Sequence, residues 1–242
     1  MKDFIKHNLT DETYRILVKK FKKKNFEAKL KERFMLDSNV SRYEKAISAS
    51  LRLIDDFEPL KLRVPGSIKG SLGEFLVAKQ LLLKNPQGEL LFFGGTCPGF
   101  DIIFNGKRIE VKTQDKYQTA REVRGIVADS CPTVSGKSIE KETFDFLVLV
   151  IINIQELNKT KFYVFSKEEV KEFFHKTGCW SGNDSENRTI FFIKSKDDKV
   201  TNSVKKIISK YDTESYQALE AQSRDNFSKI INSGKCESEI TL

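Results

Sequence analysis

Residues 100–113 read FDIIFNGKRIEVKT and contain the clearest local structural signal in the chain. Two β-favouring runs flank the dipeptide Asn105-Gly106, and this arrangement is the strongest short-range sequence signal for a β-hairpin. A two-residue turn at this dipeptide sets the register, in which Phe104 faces Lys107. The sequence therefore predicts two neighbouring antiparallel strands joined by a tight turn.

The two faces of this hairpin differ in chemistry, because side chains alternate in direction along a strand. One face carries Asp101 directly opposite Glu110, with Lys112 next along the same face. Like charges in directly opposed positions destabilise a sheet. Either the two carboxylates lie on a solvated surface where Lys112 screens them, or a divalent cation binds between their oxygens. The other face is apolar and consists of Phe100, Ile102, Ile109 and Val111.

Helical and β-favouring segments alternate along the rest of the chain. Phe144–Ile152 is almost uniformly apolar and rich in β-branched residues, which is typical of a central strand buried on both faces. Before the hairpin, a helix is predicted from Ser67 onward, and it carries Glu74. The fold class predicted from this order is α/β, with a central mixed β-sheet flanked by helices and an N-terminal helical extension.

Local signals predict the remaining elements. Capping-box patterns indicate that helices begin at Ser41, followed by Glu44, and at Ser166, followed by Glu169. The polar stretch Gln114–Thr143 is predicted to be part helix and part loop. Further strands are predicted at Leu90–Phe93, Phe162–Phe165 and Thr189–Ile193.

The chain divides at a group of helix-breaking residues. Pro59, Pro65 and Gly66 follow a helical segment, which predicts an N-terminal helical extension over residues 1–58 and a main domain over residues 59–242. Apolar residues recur at helical spacing just before this break, at Tyr43, Ile47, Leu51 and Ile54.

Composition narrows the class of protein. With 42 Lys and Arg residues against 34 Asp and Glu residues, the net charge of +8 is compatible with nucleic acid, an anionic membrane surface or solubility alone. The four cysteines form no C-x-x-C pair, so we expect reduced thiols and no structural zinc site. The longest apolar run, Phe146–Ile152, is far shorter than the roughly 20 residues of a membrane helix. Because the N-terminus also lacks a signal-peptide core, we expect a cytoplasmic protein.

Three short motifs follow one another in the order GSLGE at 70–74, PGFDI at 98–102 and IEVKT at 109–113. Together they resemble the PD-(D/E)xK nuclease superfamily, closely over residues 66–113 and loosely as far as Phe165. One departure from the family pattern is that Pro98 lies three residues before the aspartate instead of adjoining it.

The resemblance implies a role for each matching residue. Asp101 matches the metal-binding aspartate, Glu110 the second metal-binding acid and Glu74 the helix-borne glutamate that many members add. Lys112 matches the catalytic lysine. The implied cofactor is Mg²⁺, as one or two ions held by these three acids, and Mn²⁺ can substitute for it. The implied reaction is hydrolysis of DNA phosphodiester bonds.

Within this superfamily, a sequence-specific type II restriction endonuclease fits the size of the chain and its segments outside the catalytic core. Such an enzyme acts on double-stranded DNA and is commonly a homodimer, and residues 1–58 would serve DNA binding or dimerisation. A structure-specific repair nuclease or Holliday-junction resolvase is one alternative. A non-catalytic DNA-binding module is another.

Polar residues that follow the hairpin are candidates for contact with DNA, namely Gln114, Lys116, Tyr117 and Gln118. They could contact phosphates or base edges, or they could form the ordinary surface of a loop. The basic run Lys19–Lys24 has the same two interpretations.

Overall fold

A five-stranded mixed β-sheet with helices packed on both faces forms the centre of the protein. The structure is a computed structural model, and it describes residues 36–57, 64–94, 99–115, 143–177 and 221–233, Pro59, Ile139 and Lys141, and the backbone of short strands between 121 and 194. The basic run Lys19–Lys24 and the four cysteines lie outside the described residues.

The strands, in chain order, are β1 (Leu90–Phe92), β2 (Ile102–Phe104), β3 (Lys107–Asp115), β4 (Arg121–Val123), β5 (Ile126–Ser130), β6 (Thr133–Ser135), β7 (Phe146–Ile152), β8 (Lys161–Ser166), β9 (Trp180–Ser181), β10 (Asn187–Ile190) and β11 (Ile193–Lys194). The helices are α1 (Val40–Phe57), α2 (Gly66–Lys84), α3 (Lys167–Thr177) and α4 (Ser228–Ser233), and a short 3-10 helix spans Leu157–Lys159. Among these helices, none is long and apolar enough to cross a membrane.

The central sheet has the strand order β1-β2-β3-β7-β8. The pairing of β3 with β7 is parallel, and the other pairings are antiparallel. Two smaller antiparallel sheets have the orders β6-β10-β9 and β11-β5-β4. The predicted α/β class with a mixed central sheet and flanking helices is confirmed.

The predicted hairpin is also confirmed. Phe104 pairs with Lys107 and Ile102 pairs with Ile109, as a two-residue turn requires. Asn105 and Gly106 both have positive φ angles, 48° and 79°, which match the right-handed twist of the flanking strands.

Strand β7 is the centre of the core. All seven of its residues are buried, because α1 and α2 cover one face of the sheet and α3 covers the other. The predicted apolar stripe of α1 faces this core, since Tyr43, Ile47 and Ile54 are buried and Leu51 is partly buried. Of the apolar hairpin face, Phe100 is buried as well, and its ring packs edge to face against Phe93.

Local signals were right in some places and wrong in others. The capping box of α3 is confirmed, because the Ser166 N–H donates to Glu169 Oε2 and the Glu169 N–H donates to Ser166 Oγ. Helix α1 begins at Val40, one residue before the predicted start, but the predicted capping residue was wrong: Asn39 Oδ1 accepts the Ser41 N–H at 3.0 Å, so Asn39 caps the helix.

Two predictions for the second half of the chain were wrong. Thr189–Ile193 is divided between β10 and β11, which belong to different small sheets. Within Gln114–Thr143, the described backbone includes three short strands, β4, β5 and β6, where helix and loop were predicted. Their sequences mix polar and apolar residues, and strands as short as these carry little periodic signal.

Side chains and backbone from distant segments cover both edges of the central sheet. At the β1 edge, Ser38 Oγ accepts the Leu90 N–H and Asp37 Oδ2 accepts the Phe92 N–H, each at 3.0 Å. At the β8 edge, the Asp225 N–H donates to the Phe162 carbonyl at 2.9 Å.

Replacing Asp37 by alanine tests the importance of the β1 edge. The Asp37 side chain is fully buried, and its loss leaves the Phe92 N–H without this acceptor and Arg42 without its ion-pair partner. We expect Asp37→Ala to lower the free energy of unfolding by about 1–3 kcal/mol in urea denaturation. Asp56→Ala on the exposed face of α1 is the matched control and should change it by less than about 0.5 kcal/mol. Equal effects of the two variants would contradict the prediction.

Candidate functional site

Asp101 lies where β2 separates from β3. The paired register ends at Ile102, and the Asp101 N–H donates to the Ile109 carbonyl at 2.9 Å. Asp101 Oδ2 accepts the Val111 N–H at 2.8 Å, so the side chain takes the place of a main-chain acceptor. The prediction that Asp101 and Glu110 form a directly opposed ladder pair was therefore wrong, because the aspartate side chain replaces the ladder at this point.

Glu110 and Lys112 lie on one face of β3, as predicted. Their neighbours in the parallel register are Leu147 and Leu149 of β7, which belong to the smaller core cluster. Lys112 Nζ donates to Glu110 Oε1 in an ion pair. Glu110 is only 6% exposed, whereas the Lys112 side chain is 38% exposed, so the lysine connects a buried carboxylate to the surface.

Glu74 of α2 reaches the same site from the helix. A Cβ atom placed on Gly94 would lie 3.3 Å from Glu74 Oε2, so the glutamate carboxylate lies against this glycine. Gly94 itself donates its N–H to the Asp101 carbonyl at 3.1 Å. The Glu74 carboxylate is therefore next to the loop that follows β1 and close to the start of β2.

Asp101, Glu110 and Glu74 are close enough for their charges to interact. Burial raises the pKa of Asp101 to about 7, and the nearby carboxylates of Glu110 and Glu74 add to the increase. The hydrogen bond from Val111 and the charge of Lys112 act in the opposite direction. Burial also raises the pKa of Glu74, with a further contribution from Glu110.

The donor set suits a hard divalent cation, because carboxylate oxygens are the ligands that Mg²⁺ prefers. In the arrangement observed, Lys112 occupies one oxygen of Glu110. Among the described residues, no group of three or more His, Cys, Asp or Glu side chains is already placed to hold a metal ion. A cation bound by these acids would therefore use the second oxygen of the Glu110 carboxylate or displace Lys112 from the first.

The structure brings together the four residues predicted to be catalytic, namely Glu74, Asp101, Glu110 and Lys112. Gln114 lies on β3 and is partly buried, whereas Lys116, Tyr117 and Gln118 lie outside the described residues. Gly94 was not predicted as part of the site. Its one signal was the Gly-Gly dipeptide after the first strand, which reads equally well as a simple turn.

Comparisons of this chain with protein-family models, with curated proteins and with solved structures found no match.

The raised pKa of Asp101 predicts how stability depends on pH without divalent cations. The pKa is raised from 3.8 to about 7, so in this interval the folded chain holds a proton that the unfolded chain releases. The free energy of unfolding should therefore fall as the pH rises from about 4 to about 7. Asp101→Asn should flatten this decline, because its amide does not titrate and its oxygen can still accept the Val111 N–H.

Urea denaturation in EDTA at a series of pH values measures this effect. Asp56→Asn is the control, since Asp56 is exposed on α1, and it should keep the wild-type decline. A decline of the same size in Asp101→Asn would contradict the assignment to Asp101.

Proposed function

We propose that the chain is a Mg²⁺-dependent endodeoxyribonuclease that hydrolyses DNA phosphodiester bonds with a PD-(D/E)xK type of site. The observation that carries the proposal is the buried Asp101 carboxyl group, whose pKa is raised by burial and by Glu110 and Glu74. Groups with strongly perturbed pKa values gather at functional sites, because catalytic groups need pKa values matched to their task.

Burial favours one of the two explanations of the paired acids. A solvated pair screened by Lys112 requires exposed carboxylates, but Asp101 is 7% exposed and Glu110 is 6% exposed. The three carboxyl groups share one lysine ammonium group, so full ionisation of the acids would leave two negative charges that Lys112 does not balance. A single divalent cation balances that charge, and this favours the metal-binding explanation.

Each residue then has a chemical role. Asp101, Glu110 and Glu74 would hold Mg²⁺, which would activate the attacking water and neutralise charge on the phosphate. Lys112 would orient the water or stabilise the negative charge that develops on the phosphate oxygens. The water would attack phosphorus in line with the 3′ oxygen and lose a proton to solvent, and the bond from phosphorus to that oxygen would break as the oxygen takes up a proton.

We further propose the form of a type II restriction endonuclease, acting in the cytoplasm as a homodimer on double-stranded DNA. The support is that the chain has helices and two small sheets outside the central sheet, which offer material for base recognition. Two strands must be cut, so two copies of the site suit the task. The net charge of +8 favours association with the phosphate backbone.

Replacing Lys112 separates binding from chemistry. Lys112→Ala should bind a DNA duplex with an affinity close to that of the wild type, while its rate of cleavage falls by about 100-fold or more, as expected when a group that stabilises the transition state is lost. Filter binding in Ca²⁺ and a cleavage assay in Mg²⁺ measure the two properties. Lys107→Ala, at the other end of the same strand, is the control and should retain both. Cleavage by Lys112→Ala at the wild-type rate would refute the assignment.

One set of digests distinguishes the functional classes. Long duplex DNA and a four-way junction are each incubated with the full chain in Mg²⁺ and, separately, in EDTA. We expect discrete fragments from the duplex in Mg²⁺ and none in EDTA. Cutting confined to the junction would identify a resolvase instead. DNA binding with no EDTA-sensitive cutting on either substrate would identify a non-catalytic module.

A further inference from the structure

Helix α2 lies unusually close to strand β3 at Gly73. A Cβ atom placed on Gly73 would lie 1.8 Å from Thr113 Oγ1 and 2.8 Å from both Thr113 Cβ and Thr113 Cγ2. Rotation of the threonine side chain cannot relieve this overlap, because its Cβ is fixed by the backbone. Thr113 is held in turn by the central sheet, where it is opposite Val150 of β7. Any side chain at position 73 would therefore push the helix away from the strand.

Two further contacts lock the helix at this height along β3. Thr113 Oγ1 donates to the Gly70 carbonyl at 3.5 Å, and Lys69 forms an ion pair with Asp115 at the end of the strand. The helix and the strand are thus tied together one turn before the point of closest approach. A displacement at Gly73 would act directly on the next residue, Glu74.

Glu74 has little room to absorb such a displacement. Its carboxylate lies against Gly94, on the loop whose N–H is bound by the Asp101 carbonyl. Two glycines therefore limit the position of the Glu74 carboxylate: Gly73, where the helix contacts β3, and Gly94, against which the carboxylate lies.

We infer that Gly73 is a positioning residue, whose missing side chain lets α2 approach β3 closely enough to place the Glu74 carboxylate beside Glu110 and Asp101. The inference rests on the proposed function for its chemical meaning, since Glu74 acts there as a metal-binding acid. A purely structural alternative is that Gly73 only allows α2 to pack on the sheet. The two roles differ in whether the effect of Gly73 depends on Glu74.

The experiment uses the full chain and two readouts, the Mn²⁺ dissociation constant by titration calorimetry and kcat for duplex cleavage. Gly73→Ala should weaken Mn²⁺ binding by about 10–100-fold and lower kcat by about 100-fold. Gly70→Ala is the matched control on the same helix, because a Cβ there meets nothing within 4 Å, and it should behave as the wild type.

A compensating substitution tests the contact itself. Thr113→Gly removes all three atoms that the new methyl group would meet. Adding Gly73→Ala to Thr113→Gly should therefore leave Mn²⁺ affinity and kcat within about twofold of Thr113→Gly alone, as expected for coupled neighbours. A further large loss in the double variant would overturn the inference.

A second cycle distinguishes positioning from support of the fold. In a Glu74→Ala background, Gly73→Ala should change the Mn²⁺ dissociation constant by less than about twofold, because the residue through which it acts is already gone. An equal loss of Mn²⁺ affinity with Glu74 present and with Glu74→Ala would overturn the inference, including a loss caused by unfolding. If the wild type binds Mn²⁺ and cleaves DNA, and Gly73→Ala does both equally well, the positioning role of Gly73 is overturned while the proposed function stands. Failure of the wild-type chain to bind Mn²⁺ or cut DNA would overturn the proposed function and the positioning role with it.

Discussion

The hydrogen bond from the Val111 N–H to the Asp101 carboxylate is the interaction on which the candidate site depends. It replaces a main-chain acceptor at the point where β2 leaves β3, so an acidic side chain becomes part of the sheet. The same bond lowers the pKa of Asp101 but does not offset burial and the neighbouring acids, which raise it to about 7. The fold therefore holds a carboxyl group in an environment that disfavours its charge.

Strand β3 connects this bond to the rest of the molecule. One face of the strand packs Ile109 and Val111 into the larger core, and the other presents Glu110 and Lys112. Parallel pairing with β7 places that polar face next to an apolar cluster, which explains why Glu110 is buried. Strand β3 packs into the core on one face and carries the site on the other. The core packing therefore holds Glu110 in a fixed position.

Features set by residues that are close together in the chain were predictable from the sequence, whereas features that depend on contacts between distant segments were not. The hairpin was predictable because two adjacent residues set its turn. Strand β7 was predictable because a run of apolar, largely β-branched residues is typical of a buried strand. The nearness of Asp101, Glu110 and Lys112 followed from that hairpin. The detachment of Asp101 from the ladder did not, because competition between a side-chain acceptor and a main-chain acceptor depends on geometry in three dimensions. The close approach at Gly73 was equally hidden, since it joins segments that are distant in the chain.

The covered edges of the central sheet restrict how two copies of the chain can associate. Ser38 and Asp37 already occupy the outward N–H groups of β1, and the backbone at Asp225 occupies an acceptor of β8. Neither edge is free to form a continuous sheet with a second copy at these positions. Among the described residues, contact between two copies of the chain at these positions would therefore involve the segments that cover the sheet, and it would leave the strand pairing of the central sheet intact.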